Sequence, residues 1–209
     1  DRSPSRGLGD VYKRQLHAFD TETIIAPDYK HNSKLYTSFY NTLSSQNKEV
    51  TYPEVGQEYE FGEGSFTVLG PTQIRDDSNN NSVVVRLDYG DTSFLFTGDA
   101  ESKEEKDIIA ANEDLYCDVL SVGHHGSASS TSWDFLEAVL PEYAVISCGV
   151  NNSYGHPDPD TIEKLESIEA QIFRTDLQGN IIAISDGETI TWNNVPSNCL
   201  LYTSDAADD

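Results

Sequence analysis

Two glycine-flanked turns hold three of the five histidines in this sequence, and a third turn holds an aspartate. Gly98-Asp99 follows the apolar run SFLFT. Gly123-His124-His125-Gly126-Ser127 follows DVLSV, and Asn151-Asn152-Ser153-Tyr154-Gly155-His156-Pro157 follows YAVISCG. Imidazole and carboxylate are donor types that hold zinc and related divalent ions. Glycine lets the backbone approach closely and leaves room for a ligand. Each piece alone has an ordinary reading: Gly-Asp as a turn, His-His as a surface pair, Gly-His-Pro as a rigid corner. The order and phase of all three, each at a strand end, favour a metal site. One Asp and three His are nevertheless few for two catalytic ions.

These turns need a sheet that brings their strands together. Thr23–Ala26 (TIIA) and EVTYP at 49 read as strands. Ser33 is placed to cap a helix carrying Leu35, Tyr36, Phe39, Tyr40 and Leu43 at helical spacing. EYEF at 58, SFTVLG at 65, SVVVRLDYG at 82 and TSFLFTG at 92 are strand-like, with a hairpin over Asp88-Tyr89-Gly90-Asp91. After Asp99 strands alternate with helices: ESKEEKDIIAANE, CDVLSV, TSWDFLEAVL, YAVISCG, then GHPDPDTIEKLESI, QIFRT, NIIAISDG and TITW. Hairpins followed by βα units predict an α/β domain with a mixed sheet and helices packed outside. If the strands before the three turns are neighbours, their carboxyl ends share one edge, where Asp99, His124, His125 and His156 converge.

The chain of 209 residues carries 13 Lys and Arg against 36 Asp and Glu, a formal charge of -23. That balance argues against gripping nucleic acid through a broad basic face, though a site neutralised locally by metal ions survives it. No window approaches the roughly 18 uninterrupted apolar residues of a membrane helix. Cys117 and Cys148 each lie inside an apolar run and read as buried thiols.

The two ends share a peculiarity. Gly9 to Gln15 (GDVYKRQ) and Cys199 to Ser204 (CLLYTS) can be encoded by opposite strands of a single DNA word. That word resembles the transposon end used in sequencing-library construction. Residues 1–15 and 199–209 are therefore expected to be adapter-derived tails, and 16–198 the domain itself. That segment keeps 9 basic and 31 acidic residues, for a charge of -22.

FLFTGDAE (94–101), DVLSVGHHGS (118–127), NNNSVVVRLDYG (79–90), NNSYGHPDPDTIEKL (151–165) and FRTDLQGNI (173–181) together resemble the metallo-β-lactamase superfamily. More narrowly, they resemble the hydrolase domain of ComEC-type competence proteins and its stand-alone relatives. The resemblance covers essentially all of 16–198. It implies a four-layer αββα sandwich, incomplete here at its N-terminal side, with two divalent ions (zinc or manganese) at the sheet edge. By the resemblance, Asp99 bridges the ions and His156 is a terminal ligand. One of His124 and His125 meets metal or substrate phosphate, and the other stabilises or protonates the leaving oxygen. Adjacent residues of an extended segment point oppositely, so the inward metal role goes to His125. Ser127 and Asn152 are candidate substrate contacts.

The family's His-x-His-x-Asp-His cluster is not present: Leu16-His17-Ala18-Phe19-Asp20 is no version of it, and His17 reads as a solvated helix-end residue. The ions would then be incompletely liganded and this chain inactive by itself. The resemblance implies a phosphodiesterase or nuclease acting through a metal-bridging hydroxide on a phosphodiester such as DNA, at the cell surface or outside it. The alternatives are a lactonase or other hydrolase on the same fold, a non-catalytic module with a decayed site, and a cytoplasmic location.

Overall fold

A computed structural model describes residues 15–198, so the expected adapter tails, Gln15 apart, lie outside the described residues. The chain divides into two compact units at Pro53 and Glu54. In the first unit, α1 spans Lys34–Ser45, and the Ser33 hydroxyl accepts the Tyr36 N–H at 3.1 Å, the cap that the sequence predicts. Leu16 and Leu43 are buried, and the Gln46 amide donates to the Leu16 carbonyl at 2.9 Å. His17 is exposed, its Nδ1 3.3 Å from that same amide. TIIA and EVTYP do not form strands. They meet in one parallel bridge, Ile25 with Thr51, and Pro27 and Pro53 bound the two runs where a ladder would have to continue.

The second unit carries the sheet. β1 (Glu58–Phe61), β2 (Gly64–Gly70), β3 (Val84–Tyr89) and β4 (Thr92–Phe96) form an antiparallel meander. From β4 the chain continues through α2 (Ser102–Ala111), β5 (Val119–Ser121), α3 (Trp133–Val139), β6 (Tyr143–Ile146), α4 (Pro159–Ser167) and β7 (Gln171–Arg174). β4, β5, β6 and β7 are parallel neighbours, giving a seven-stranded sheet in sequence order. Parallel neighbours require crossovers, and α2, α3 and α4 supply them. A short α5 (Thr175–Gln178) leads to a separate hairpin, β8 (Ala183–Ser185) with β9 (Ile190–Trp192).

The parallel strands are apolar on both faces, as strands covered on both sides must be. One face sends Leu95, Leu120, Ala144, Ile146 and Ile172 into a core with Ile108 of α2, Phe135, Leu136 and Val139 of α3, and Leu165 of α4. On the opposite face Trp192 of β9 stacks on Phe173 with ring centroids 4.1 Å apart, and lies 5.2 Å from Tyr143. A cavity of about 570 Å³ between sheet and hairpin is lined by Leu87, Phe94, Phe96, Val119, Val145 and Trp192. Helices, large sheet and second sheet thus follow one another as in the expected sandwich. Gly90 makes the hairpin's docking feasible. It sits at φ +58°, and a Cβ there would lie 2.2 Å from the Gly187 carbonyl oxygen, which accepts the Asp91 N–H at 2.6 Å.

Cys117 is fully buried, and burial pushes its thiol up to about 12. Because the thiolate is the nucleophile, iodoacetamide at pH 8 is expected to leave Cys117 unlabelled in the folded chain and to label it fully in urea. Peptide mass spectrometry reads this directly; rapid native labelling would show that β5 opens easily.

Candidate metal centre

β4, β5 and β6 are adjacent and parallel, so the three turns leave the same edge of the sheet, the usual place for ligands in such sheets. Backbone bonds join turn to turn. His124 N donates to the Gly98 carbonyl at 2.9 Å, and Asp158 N donates to the Gly126 carbonyl at 2.8 Å. Gly98, just before Asp99, is at φ +56°, and the Asp99 N–H donates to the Ser82 hydroxyl at 3.1 Å.

The His124-His125 segment is not extended, which corrects the premise used to assign the two rings. Both residues are left-handed, His124 at φ 47° and ψ 44°, His125 at φ 59° and ψ 23°. A residue with a Cβ loses roughly 1–2 kcal/mol in this conformation. The result is two rings that stay close, with centroids 6.2 Å apart at 61°. His156 joins them, its ring 5.7 Å from that of His124 and stacked under Tyr154 at 5.8 Å. Burial first, and then the His124 and His125 rings, hold the His156 imidazole below its ordinary pKa.

His125 carries the strongest signature of a ligand. Its Nδ1 lies 2.7 Å from the Ser147 carbonyl oxygen. A carbonyl only accepts, so Nδ1 bears the proton and Nε2 keeps its lone pair in the neutral ring. That Nε2 is 3.5 Å from the Asp99 carboxylate Oδ1. With the ring neutral, two acceptors face each other across a gap that suits a bound cation. Ligands about 2.1 Å from a tetrahedral ion lie roughly 3.4 Å apart. A backbone carbonyl on the outer nitrogen is a common way to orient a metal-binding histidine. In kind, these donors fit a divalent ion. In number they fall short: among the described residues no group of three or more His, Cys, Asp or Glu comes together as an ion's shell needs.

The remaining candidates are held by their own turns. The Ser127 hydroxyl lies 3.0 Å from that of Ser129. Asn152 uses both ends of its amide inside its loop, accepting from His156 N at 3.0 Å and donating to the His156 and Gly149 carbonyls at 2.5 and 3.0 Å. It thereby sets the path of the His156 loop. The sequence reading missed Glu101, although it stands two residues after Asp99. Its Oε1 is 3.3 Å from His124 Nδ1.

A model of the metallo-beta-lactamase superfamily matches residues 18–150, a stretch that includes Asp99, His124 and His125 but ends before His156. ComE operon protein 3 of Bacillus subtilis is 38% identical over 117 residues, covering 56% of this chain and 15% of that protein. Competence protein ComA of Neisseria gonorrhoeae is 38% identical over 125 residues, covering 59% and 18%. Recombination protein 2 of Haemophilus influenzae is 32% identical over 168 residues, covering 79% and 19%. The chain thus spans less than a fifth of the length of these relatives. No helix among the described residues is long and apolar enough to cross a membrane. With the family model covering well over half of the sequence, and the donor turns of Asp99, His124 and His125 inside the match, the chain belongs to the metallo-beta-lactamase superfamily.

Proposed function

We propose that the chain forms part of a metal-dependent phosphodiesterase or nuclease. The observation that carries this reading is the pair of facing acceptors, Asp99 Oδ1 and His125 Nε2, 3.5 Å apart at the carboxyl edge of the parallel strands. Asp99, His125 and His156 would hold zinc or manganese. Such ions, when bound, activate water and offset charge developing on phosphorus. His124, once the ring nitrogen facing the site has taken up a proton, stabilises or protonates the leaving oxygen, and Ser127 on the same turn contacts the substrate phosphate. The Ser147 carbonyl fixes which nitrogen His125 offers. The family membership supports a hydrolase, and the names of the relatives, competence and recombination proteins, favour DNA or its fragments as the phosphodiester; the proposed place of action is at or outside the cell surface.

Charge favours short phosphodiesters over a long duplex track. Of the nine Lys and Arg in 16–198, Lys48, Arg75, Arg86, Lys164 and Arg174 are already in ion pairs with carboxylates. Few cations remain to follow a phosphate backbone.

The test compares this chain with a longer protein carrying a His-x-His-x-Asp-His segment ahead of Leu16. Both are given manganese or zinc, a chromogenic phosphodiester and linear DNA, with and without chelator. The longer protein is expected to turn over in a chelator-sensitive manner and the present chain to be inert. Lactone hydrolysis without phosphodiester turnover in the longer protein would shift the reading to a lactonase. Equal turnover by both would mean that the ligand set is complete within this chain.

A further inference from the structure

The carboxylate that faces His124 comes from a position where it has another task available. Glu101 is the N-cap residue of α2, where a side chain ordinarily accepts an N–H of the first turn. Its side chain makes no such bond. The buried Asn80 does that work instead, its Oδ1 accepting the N–H groups of both Glu101 and Glu104 at 3.1 and 3.3 Å. Relieved of capping, the Glu101 carboxylate turns to the histidine turn. It accepts from Asn79 Nδ2 at 3.1 Å and from the Ser129 hydroxyl at 3.0 Å, and its Oε1 lies 3.3 Å from His124 Nδ1. Asn80 Nδ2 adds a longer contact to the other oxygen at 3.4 Å. The carboxylate is three-quarters shielded from solvent and held from three sides, which fixes its direction.

An ionised carboxylate only accepts, so the stable partner for it is a protonated Nδ1. We propose that Glu101 is a positioning residue that holds His124 as the Nδ1–H tautomer and leaves Nε2 as its accepting nitrogen. His124 and His125 are then a matched pair. Each has its Nδ1 tied to an oxygen of the surrounding protein, Glu101 for one and Ser147 for the other. Each keeps Nε2 for an ion or a substrate. This is the carboxylate–histidine arrangement that raises ligand basicity and fixes ring orientation around metal ions. The Ser129 hydroxyl, also 3.3 Å from His124 Nδ1, donates to Glu101 and keeps lone pairs that accept from the same Nδ1–H, so it backs the carboxylate at that nitrogen.

The test reads the rings themselves. In the 209-residue chain, nitrogen-15 labelled and kept metal-free at pH 8.5, long-range proton–nitrogen correlation spectra distinguish a protonated ring nitrogen from a bare one. His124 is expected to show a protonated Nδ1 and a bare Nε2. In Glu101→Ala that pattern should give way to a mixture dominated by Nε2–H, while His125, tied to the Ser147 carbonyl, keeps its own. Ser129→Ala should leave the His124 pattern in place. A wild-type His124 protonated on Nε2 overturns the proposal, and this reading needs no variant to fold. An unchanged pattern in Glu101→Ala, or its loss in Ser129→Ala, overturns it as well. The catalytic consequence rests on the phosphodiesterase reading: Glu101→Ala in the longer protein should lower kcat about 10- to 100-fold with KM little changed. Absence of turnover in the wild type would count against that reading alone, because the ring spectra judge the positioning role independently.

Discussion

Alanine in place of Glu104 is expected to remove about 3–5 kcal/mol of folding stability from the second unit. The carboxylate is fully buried on α2. Its Oε1 accepts the Thr72 N–H at 2.6 Å, and its Oε2 pairs with the Arg75 guanidinium, whose other arm reaches Asp107. Truncation leaves an amide N–H without its acceptor and a largely buried guanidinium with Asp107 and a long contact to the Gln73 carbonyl in place of its buried carboxylate. Unpaired buried groups are among the few single-site changes that cost this much. The neighbouring chain packs closely: a Cβ added at Gly70 would come within 3.2 Å of both the Glu104 carboxylate and Ile108, so collapse into the void is limited. Both tryptophans, Trp133 and Trp192, lie in the second unit, and their fluorescence in urea reports its unfolding. A midpoint lower by more than about 1 M is the expected result; a loss under about 1 kcal/mol would mean that water replaces the carboxylate at little cost.

Asp99→Ala is expected to act in the opposite way, leaving the fold intact and removing the activity. The side chain is 45% exposed, and the turn is held through its backbone N–H to Ser82, so stability should change by less than about 1 kcal/mol. Loss of a partner that merely orients a metal ligand costs about 10–100-fold, so loss of a ligand should cost more than about a hundredfold in chelator-sensitive turnover of the longer protein. Calorimetric titration with manganese should show weaker binding by this variant than by the unsubstituted chain. Unchanged turnover would take Asp99 out of the centre and leave His125 Nε2 facing a carboxylate without chemical purpose.

The sheet was legible because its strands are short, apolar and punctuated. In TSFLFTG, Leu95 faces the helices while Phe94 and Phe96 face the other side, and the turn signals before and after mark both ends. The convergence of three turns followed from strand order, since consecutive βα units place consecutive strands side by side. TIIA and EVTYP misled because a short apolar run fits a strand or a single bridge equally well, and only the neighbours decide. Glu101 escaped notice for a different reason. Its partners come from residues 79, 80, 124 and 129, and a glutamate before an acidic helix reads locally as part of that helix. The left-handed pair was beyond reach, because nothing in the letters His-His announces a positive φ.

That pair sets relief of strain against retention of chemistry. Glycine at 124 or 125 would accept the left-handed backbone without the penalty borne by a side chain, and would gain stability by doing so. It would also delete an imidazole of the proposed metal centre. A library of this domain ranked on heat resistance would therefore enrich replacements at these two positions and discard the proposed site. Under the proposed roles of the two histidines, selection on folding alone leads away from activity, and a screen for sturdier variants has to hold both fixed.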